Sequence, residues 1–185
     1  TASLNSVELS KNQKYCAYSV SQAGSDWQDI YIIDIASKKT ISDVINYSKF
    51  SGIAWKGDEG FYYSGYDKPA SEEEKYSAKT EYQKIFFHKI GTPQANDKII
   101  YEDKQHPLRY KGAALTEDER WLMLSISEGT DGSDLLYLDL KNKDQKEFAS
   151  IGNQGFTVNQ DFVDNITGNF LIYTNKNAPN YQVIL

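Results

Sequence analysis

Apolar residues come in short runs rich in Tyr, Ile, Val and Phe, and Gly, Asn, Asp and Ser separate them. Such runs, without the three-and-four spacing of an amphipathic helix, predict β-strands joined by turns. Ile53-Ala54-Trp55, Phe61-Tyr62-Tyr63-Ser64, residues 83–89, Lys98-Ile99-Ile100-Tyr101 and Phe170-Leu171-Ile172-Tyr173 all read this way. Several are apolar on both faces rather than alternating, which predicts strands covered from both sides. The charged run Ser71-Glu72-Glu73-Glu74-Lys75 has no apolar face and reads as a solvated loop.

The pattern repeats. Leu9-Ser10-Lys11-Asn12-Gln13-Lys14-Tyr15 matches Leu115-Thr116-Glu117-Asp118-Glu119-Arg120-Trp121, and Tyr18-Ser19-Val20-Ser21 then matches Leu124-Ser125-Ile126-Ser127. Asp29-Ile30 through Asp34-Ile35 matches Asp134-Leu135 through Asp139-Leu140. Units recurring every ~40–50 residues are the signature of propeller blades, and this repeat favours a β-propeller over a β-sandwich. The expected fold is all-β: a partial propeller of three to four four-stranded antiparallel blades, at about residues 1–48, 49–105, 106–155 and an incomplete 156–185. A chain stopping within a blade cannot close a ring, so it is expected to be a piece of something longer.

Composition narrows the function. Twenty basic against 26 acidic side chains leave a net charge of −6, which suits neither nucleic acid nor a phosphate-rich surface. No apolar run is long enough to span a membrane, and the Thr1-Ala2-Ser3-Leu4-Asn5 start shows no signal peptide, so the compartment stays open between cytoplasm and periplasm. Cys16 is the single cysteine, which excludes an intrachain disulfide, and its apolar strand predicts a buried, inert thiol.

Nothing in the chain carries catalysis. There is no Gly-x-Ser-x-Gly, no phosphate-binding glycine loop and no His-Glu-x-x-His, so no catalytic, cofactor-binding or metal residue is assigned. Of the two histidines, His88 closes a strand and His106 precedes Pro107 in a turn, and a structural role is expected for each. Asp131-Gly132-Ser133-Asp134 resembles the start of a Ca²⁺ loop but lacks the later acidic ligands, and reads as a solvated hairpin loop.

The segment His88-Lys89-Ile90-Gly91-Thr92-Pro93-Gln94 reads physically as the end of one strand and a tight turn to the next, with Gly91 free to take φ > 0. Together with Gly24-Ser25-Asp26-Trp27-Gln28-Asp29-Ile30-Tyr31, Lys49-Phe50-Ser51-Gly52-Ile53-Ala54-Trp55, Gly60-Phe61-Tyr62-Tyr63-Ser64, Leu124-Ser125-Ile126-Ser127-Glu128-Gly129 and Asn177-Ala178-Pro179-Asn180-Tyr181, it resembles the β-propeller of the prolyl oligopeptidases. The oligopeptidase B group fits less well around residues 25–31 and 49–55.

This resemblance implies a seven-bladed propeller capping an α/β-hydrolase domain of the same polypeptide. That domain holds the Ser-Asp-His triad and is not represented here. The parent would be a serine peptidase cutting short peptides after proline, with the propeller as a gate that admits oligopeptides and excludes folded proteins. By motif, Phe50, Tyr110 and Thr130 occupy positions that touch substrate upstream of the scissile bond. Tyr110 and Thr130 replace a Met and a Cys, and Ser127 an Arg, of animal members. The partners implied are the hydrolase domain and proline-containing oligopeptides, with no cofactor, nucleic acid or membrane. The alternative is a non-catalytic propeller that binds proteins or ligands.

Overall fold

The computed structural model describes residues 2–22, 24–69, 71, 80–152 and 155–185, so the acidic run Glu72-Glu73-Glu74 lies outside the described residues. Two compact units divide the chain, residues 1–108 and 109–185. Among the described residues, the regular elements are antiparallel strands apart from a single 3-10 turn at Gln94–Asn96.

The first unit is one sheet of seven strands in sequential order: β1 (Ala2–Leu9), β2 (Tyr15–Gln22), β3 (Gln28–Asp34), β4 (Lys39–Lys56), β5 (Gly60–Gly65), β6 (Lys84–Lys89) and β7 (Lys98–Tyr101). β4 is 18 residues long, several times the usual strand of about five or six. It pairs with β3 from Lys39 to Ser48, and with β5 at Ser48 and again from Ile53 to Lys56. The sheet is thus two four-stranded groups, β1 to β4 and β4 to β7, that share one strand. Ile53-Ala54-Trp55, which reads in isolation as its own strand, is the last part of β4.

The shared strand carries one core. Ala17, Ile30, Ile32 and Ile45 from the first group meet Ile53, Phe61 and Tyr63 from the second, none more than 9 % exposed. Each fully buried side chain of this size contributes roughly 1.5–3 kcal/mol. Trp55 packs against Phe61 and stacks on Tyr15, and its Nε1–H donates to the Glu8 carbonyl at 3.0 Å, fastening β4 to β1. All six residues of β5 are buried, as a strand apolar on both sides requires. Gly60, which opens it, admits no side chain, because a Cβ there would lie 2.0 Å from the His88 carbonyl oxygen.

Strand alternation places Ala17 in the core and turns Cys16 to the opposite face. Cys16 is therefore half-buried, not enclosed as its apolar surroundings predict. Burial, with the Glu8 charge second, still raises the pKa of its thiol.

The turn after β6 closes over a buried polar knot. His88, with no exposed surface, sets Nδ1 2.8 Å from Asp97 Oδ1 and Nε2 3.2 Å from Asp43 Oδ2. Asp43 also accepts the Gly91 N–H, and Asp97 accepts the Tyr63 hydroxyl at 2.8 Å. Gln94 exchanges bonds with the backbone of Asn46. The end of β6 and the turn after it are thereby tied to strands β4 and β5. Burial is the largest influence on the imidazole and disfavours its charge, but the hydrogen bonds and charges of Asp97 and then Asp43 prevail and raise its pKa. Burial and the Asp97 carboxylate likewise raise the Tyr63 phenol.

In the second unit, β8 (Tyr110–Leu115), β9 (Trp121–Ser127), β10 (Ser133–Asp139) and β11 (Ala149–Ser150) form a sheet in the order β11-β10-β9-β8. β12 (Gln160–Ile166), β13 (Asn169–Thr174) and β14 (Gln182–Ile184) form a three-stranded sheet. Trp121, Tyr137 and Phe170 join the two sheets, with ring centroids 5.1–5.6 Å apart.

Because His88 has a higher pKa folded than unfolded (unfolded ~6.5), its contribution is fully present below that value and is lost as pH rises through the folded pKa. In the full-length protein, His88→Gln is expected to cost about 3–5 kcal/mol near pH 6, since it strands two buried carboxylates. The loss should shrink as pH rises through the folded His88 pKa, read by denaturant unfolding across that range; a cost independent of pH would contradict a charged His88.

Candidate functional site

Antiparallel pairing sends successive connections to alternate ends of a sheet. In the first unit the 22–28 loop, the bend within β4, the end of β5 and the start of β6 fall at one end, and the His88 turn at the other. The bend is where β4 leaves β3 for β5. Residues 49–52 fall outside both ladders, and Tyr47 and Phe50 take left-handed backbone, φ 58° and 55°. An aromatic residue there is strained by about 1–3 kcal/mol and persists only when its surroundings impose it.

The surroundings are specific. Ser48 Oγ donates to the Ser64 carbonyl at 3.0 Å, and the Ser64 N–H donates to Ser51 Oγ at 2.8 Å. Two hydroxyls thus take over the bonding of Ser64, where the ladder skips. Gln83 Nε2 donates to the Lys49 carbonyl at 2.9 Å, and the Tyr66 N–H to the Tyr47 carbonyl at 3.0 Å. Fastened on both sides, the backbone projects Phe50 outward, 53 % exposed. Beside it lie Lys49 and Trp27, and Trp27 meets Tyr66 edge to face at 5.6 Å.

Tyr110 and Thr130 belong to the second unit and share one end of its first sheet. Tyr110 opens β8 opposite Ser127, and Thr130 sits in the 128–132 loop that follows β9. Both are exposed. Arg109, which the sequence does not single out, stands between these elements. Its Nε donates to Glu128 Oε2 at 2.9 Å and its guanidinium lies 4.5 Å from the Phe156 ring centroid. The Asp131-Gly132-Ser133-Asp134 stretch is not the solvated loop its composition predicts. Gly132 donates to Asn159 Oδ1 at 2.8 Å, Ser133 is buried, and a Cβ on Gly132 would lie 2.0 Å from the Phe156 carbonyl oxygen. The loop is pinned from below while Thr130 stays outward.

His106 is a half-exposed turn residue whose Nδ1 lies 2.8 Å from Asp103 Oδ2. Burial pulls the Asp103 carboxyl upward, but hydrogen bonds from His106 and Gln105 hold it below the usual carboxylate range. Among the described residues, no group of three or more His, Cys, Asp or Glu side chains is arranged to hold a metal ion.

The model of the family "Prolyl oligopeptidase, N-terminal beta-propeller domain" matches residues 1–185. The prolyl endopeptidase of Elizabethkingia meningoseptica is 42 % identical over 184 residues, covering 100 % of this chain and 26 % of that protein. A solved prolyl endopeptidase chain superposes with a TM-score of 0.87 at 27 % identity, covering 98 % of this chain and 25 % of the other. Prolyl oligopeptidase B of Galerina marginata, solved with a 35mer hydrolysis and macrocyclization substrate, gives 0.85 at 29 % identity, covering 99 % and 27 %. The chain thus spans about a quarter of the length of its relatives.

The strain at Phe50 is testable by itself. Phe50→Gly is expected to leave the full-length protein at least as stable as the parent, within about 1 kcal/mol, because glycine adopts φ 55° without a Cβ clash. Phe50→Ala keeps the strained backbone and should fall below Phe50→Gly in thermal unfolding; the reverse order would remove the argument for strain.

Proposed function

This chain belongs to the prolyl oligopeptidase family, within its N-terminal β-propeller domain, and from that membership we propose that it is part of the substrate gate of a serine-type prolyl endopeptidase. The sheets described here are then three to four blades of a seven-bladed propeller. The Ser-Asp-His triad lies on an α/β-hydrolase domain elsewhere in the same polypeptide. Proline-containing oligopeptides pass the gate, and the propeller walls exclude folded proteins and bulk water from the reacting bond.

The observation that carries a substrate-facing role is Phe50, a half-exposed aromatic ring held in left-handed backbone by a dedicated set of hydrogen bonds. A ring fixed in this way offers apolar area at little entropic cost on binding. In this reading Phe50 receives a bulky substrate group upstream of proline. Tyr110 and Thr130 form a second contact surface, steadied by Arg109 and Glu128, with a shape and polarity set by a phenol and a hydroxyl. Ser127 supplies no charge there, while Arg109 and Lys111, whose ammonium donates to the Arg109 carbonyl at 2.9 Å, both stand at this end of the sheet.

Two outcomes test this. The isolated chain is expected to show no proline-specific cleavage, and the polypeptide beyond Leu185 to contain Gly-x-Ser-x-Gly followed by Asp and then His. Absence of that nucleophile would favour a non-catalytic binding module. In the full-length peptidase, Phe50→Ala should lower kcat/KM about tenfold more for substrates with a bulky group upstream of proline than for minimal ones. Equal losses on both substrates would make Phe50 a packing residue.

A further inference from the structure

The side chain that touches Phe50 most distinctively is Lys49. Its ammonium lies 5.2 Å from the Phe50 ring centroid and 5.4 Å from that of Trp27, between two aromatic rings. Its side chain is only 14 % exposed, with Nζ 3.1 Å from Thr80 Oγ1 and 3.4 Å from Asp26 Oδ2. Its carbonyl is held by Gln83. These partners come from three different segments. Trp27 and Asp26 belong to the 22–28 loop, Thr80 and Gln83 to the stretch before β6, and Phe50 to the bend in β4.

Backbone strain fixes where Phe50 leaves the chain but not where its ring points. Backbone hydrogen bonds do not by themselves set the χ1 and χ2 of a side chain. A cation within about 6 Å of a ring is attracted to its face, more strongly when partly removed from water. Lys49 is such a cation, and Asp26, Thr80 and Gln83 restrict its own motion. The ammonium lies 5.2 Å from the centroid of the Phe50 ring, which stays 53 % exposed.

We infer that Lys49 is a positioning residue that orients the Phe50 ring for substrate by holding it, together with Trp27, in a ring–cation–ring stack. This rests on the reading of Phe50 as a substrate-facing residue. Lys49 acts through Phe50 and makes no contact with the peptide. Its loss should therefore weaken only those substrates that use the ring.

The experiment uses the full-length peptidase and two substrates, one minimal and one with an aromatic group upstream of proline, in a double-mutant cycle. Lys49→Met keeps length and loses charge. It is expected to lower kcat/KM about three- to tenfold more for the bulky substrate than for the minimal one, through KM. Lys49→Arg, which still offers a cation to both rings, should restore most of that selectivity. In a Phe50→Ala background, Lys49→Met should cause no further selective loss. An equal loss on both substrates, or a full selective loss added to that of Phe50→Ala, would overturn the inference. Should Lys49→Met fail to fold, Trp27→Leu removes the other ring and must show a selective loss in the same direction; its absence is equally decisive. Phe50→Ala without substrate discrimination would sink the reading of Phe50 itself. Discrimination by Phe50→Ala with none by Lys49→Met would sink only the role of Lys49.

Discussion

β4 must leave one sheet partner for another without abandoning backbone polar groups in the interior, and the first unit is organised around that demand. A strand pairing with β3 on one side and β5 on the other has a stretch, residues 49–52, that neither ladder serves. Unpaired buried amides and carbonyls cost more than most single contacts contribute. Ser48, Ser51 and Gln83 answer that cost with side-chain bonds, and Tyr66 with a backbone bond. Left-handed Tyr47 and Phe50 are the geometric consequence. A site with an outward aromatic ring is thus a by-product of how two strand groups are joined.

The opposite end of the same sheet solves a different problem. There the β6 to β7 turn has to be sealed against β4, and the chain uses charge. A buried imidazole between two carboxylates is unfavourable to assemble in a medium of low polarity unless every lone pair and proton is used. Here both ring nitrogens are used, and each carboxylate accepts a further donor, the Tyr63 hydroxyl on Asp97 and the Gly91 amide on Asp43. One end is closed by a hydrogen-bonded polar knot and the other is left open and aromatic. Antiparallel order keeps the two apart.

The second unit repeats the division with other residues. Its two sheets are locked by Trp121, Tyr137 and Phe170 near the turn that joins β8 to β9. At the far end Gly132 and Ser133 tie the 128–132 loop to the segment leading into β12. A loop anchored at its base while its tip stays in solvent presents Thr130 from a fixed position. The pairing of Arg109 with Glu128 and Phe156 adds a second anchor beside Tyr110.

The strand pattern, the repeat that matches residues 9–35 with 115–140, and the tight turn after His88 are legible in the sequence alone, and an all-β antiparallel fold and its family follow from them. Periodicity and turn chemistry depend only on near neighbours. It also marked Phe50, Tyr110 and Thr130, though by resemblance rather than by any physical signature of their own. Only the tertiary structure decided that β4 runs on as one strand through the bend, because its pairing depends on β3 and β5, which lie on either side of it in the chain. The same holds for the partners of His88, 9 and 45 residues away. It holds too for the half-burial of Cys16 and the pinned Asp131-Gly132-Ser133-Asp134 stretch, where register and a distant backbone override composition. Lys49 beside Phe50 could be read from adjacency. Its place between two rings could not, because Trp27 reaches it across the sheet from another loop.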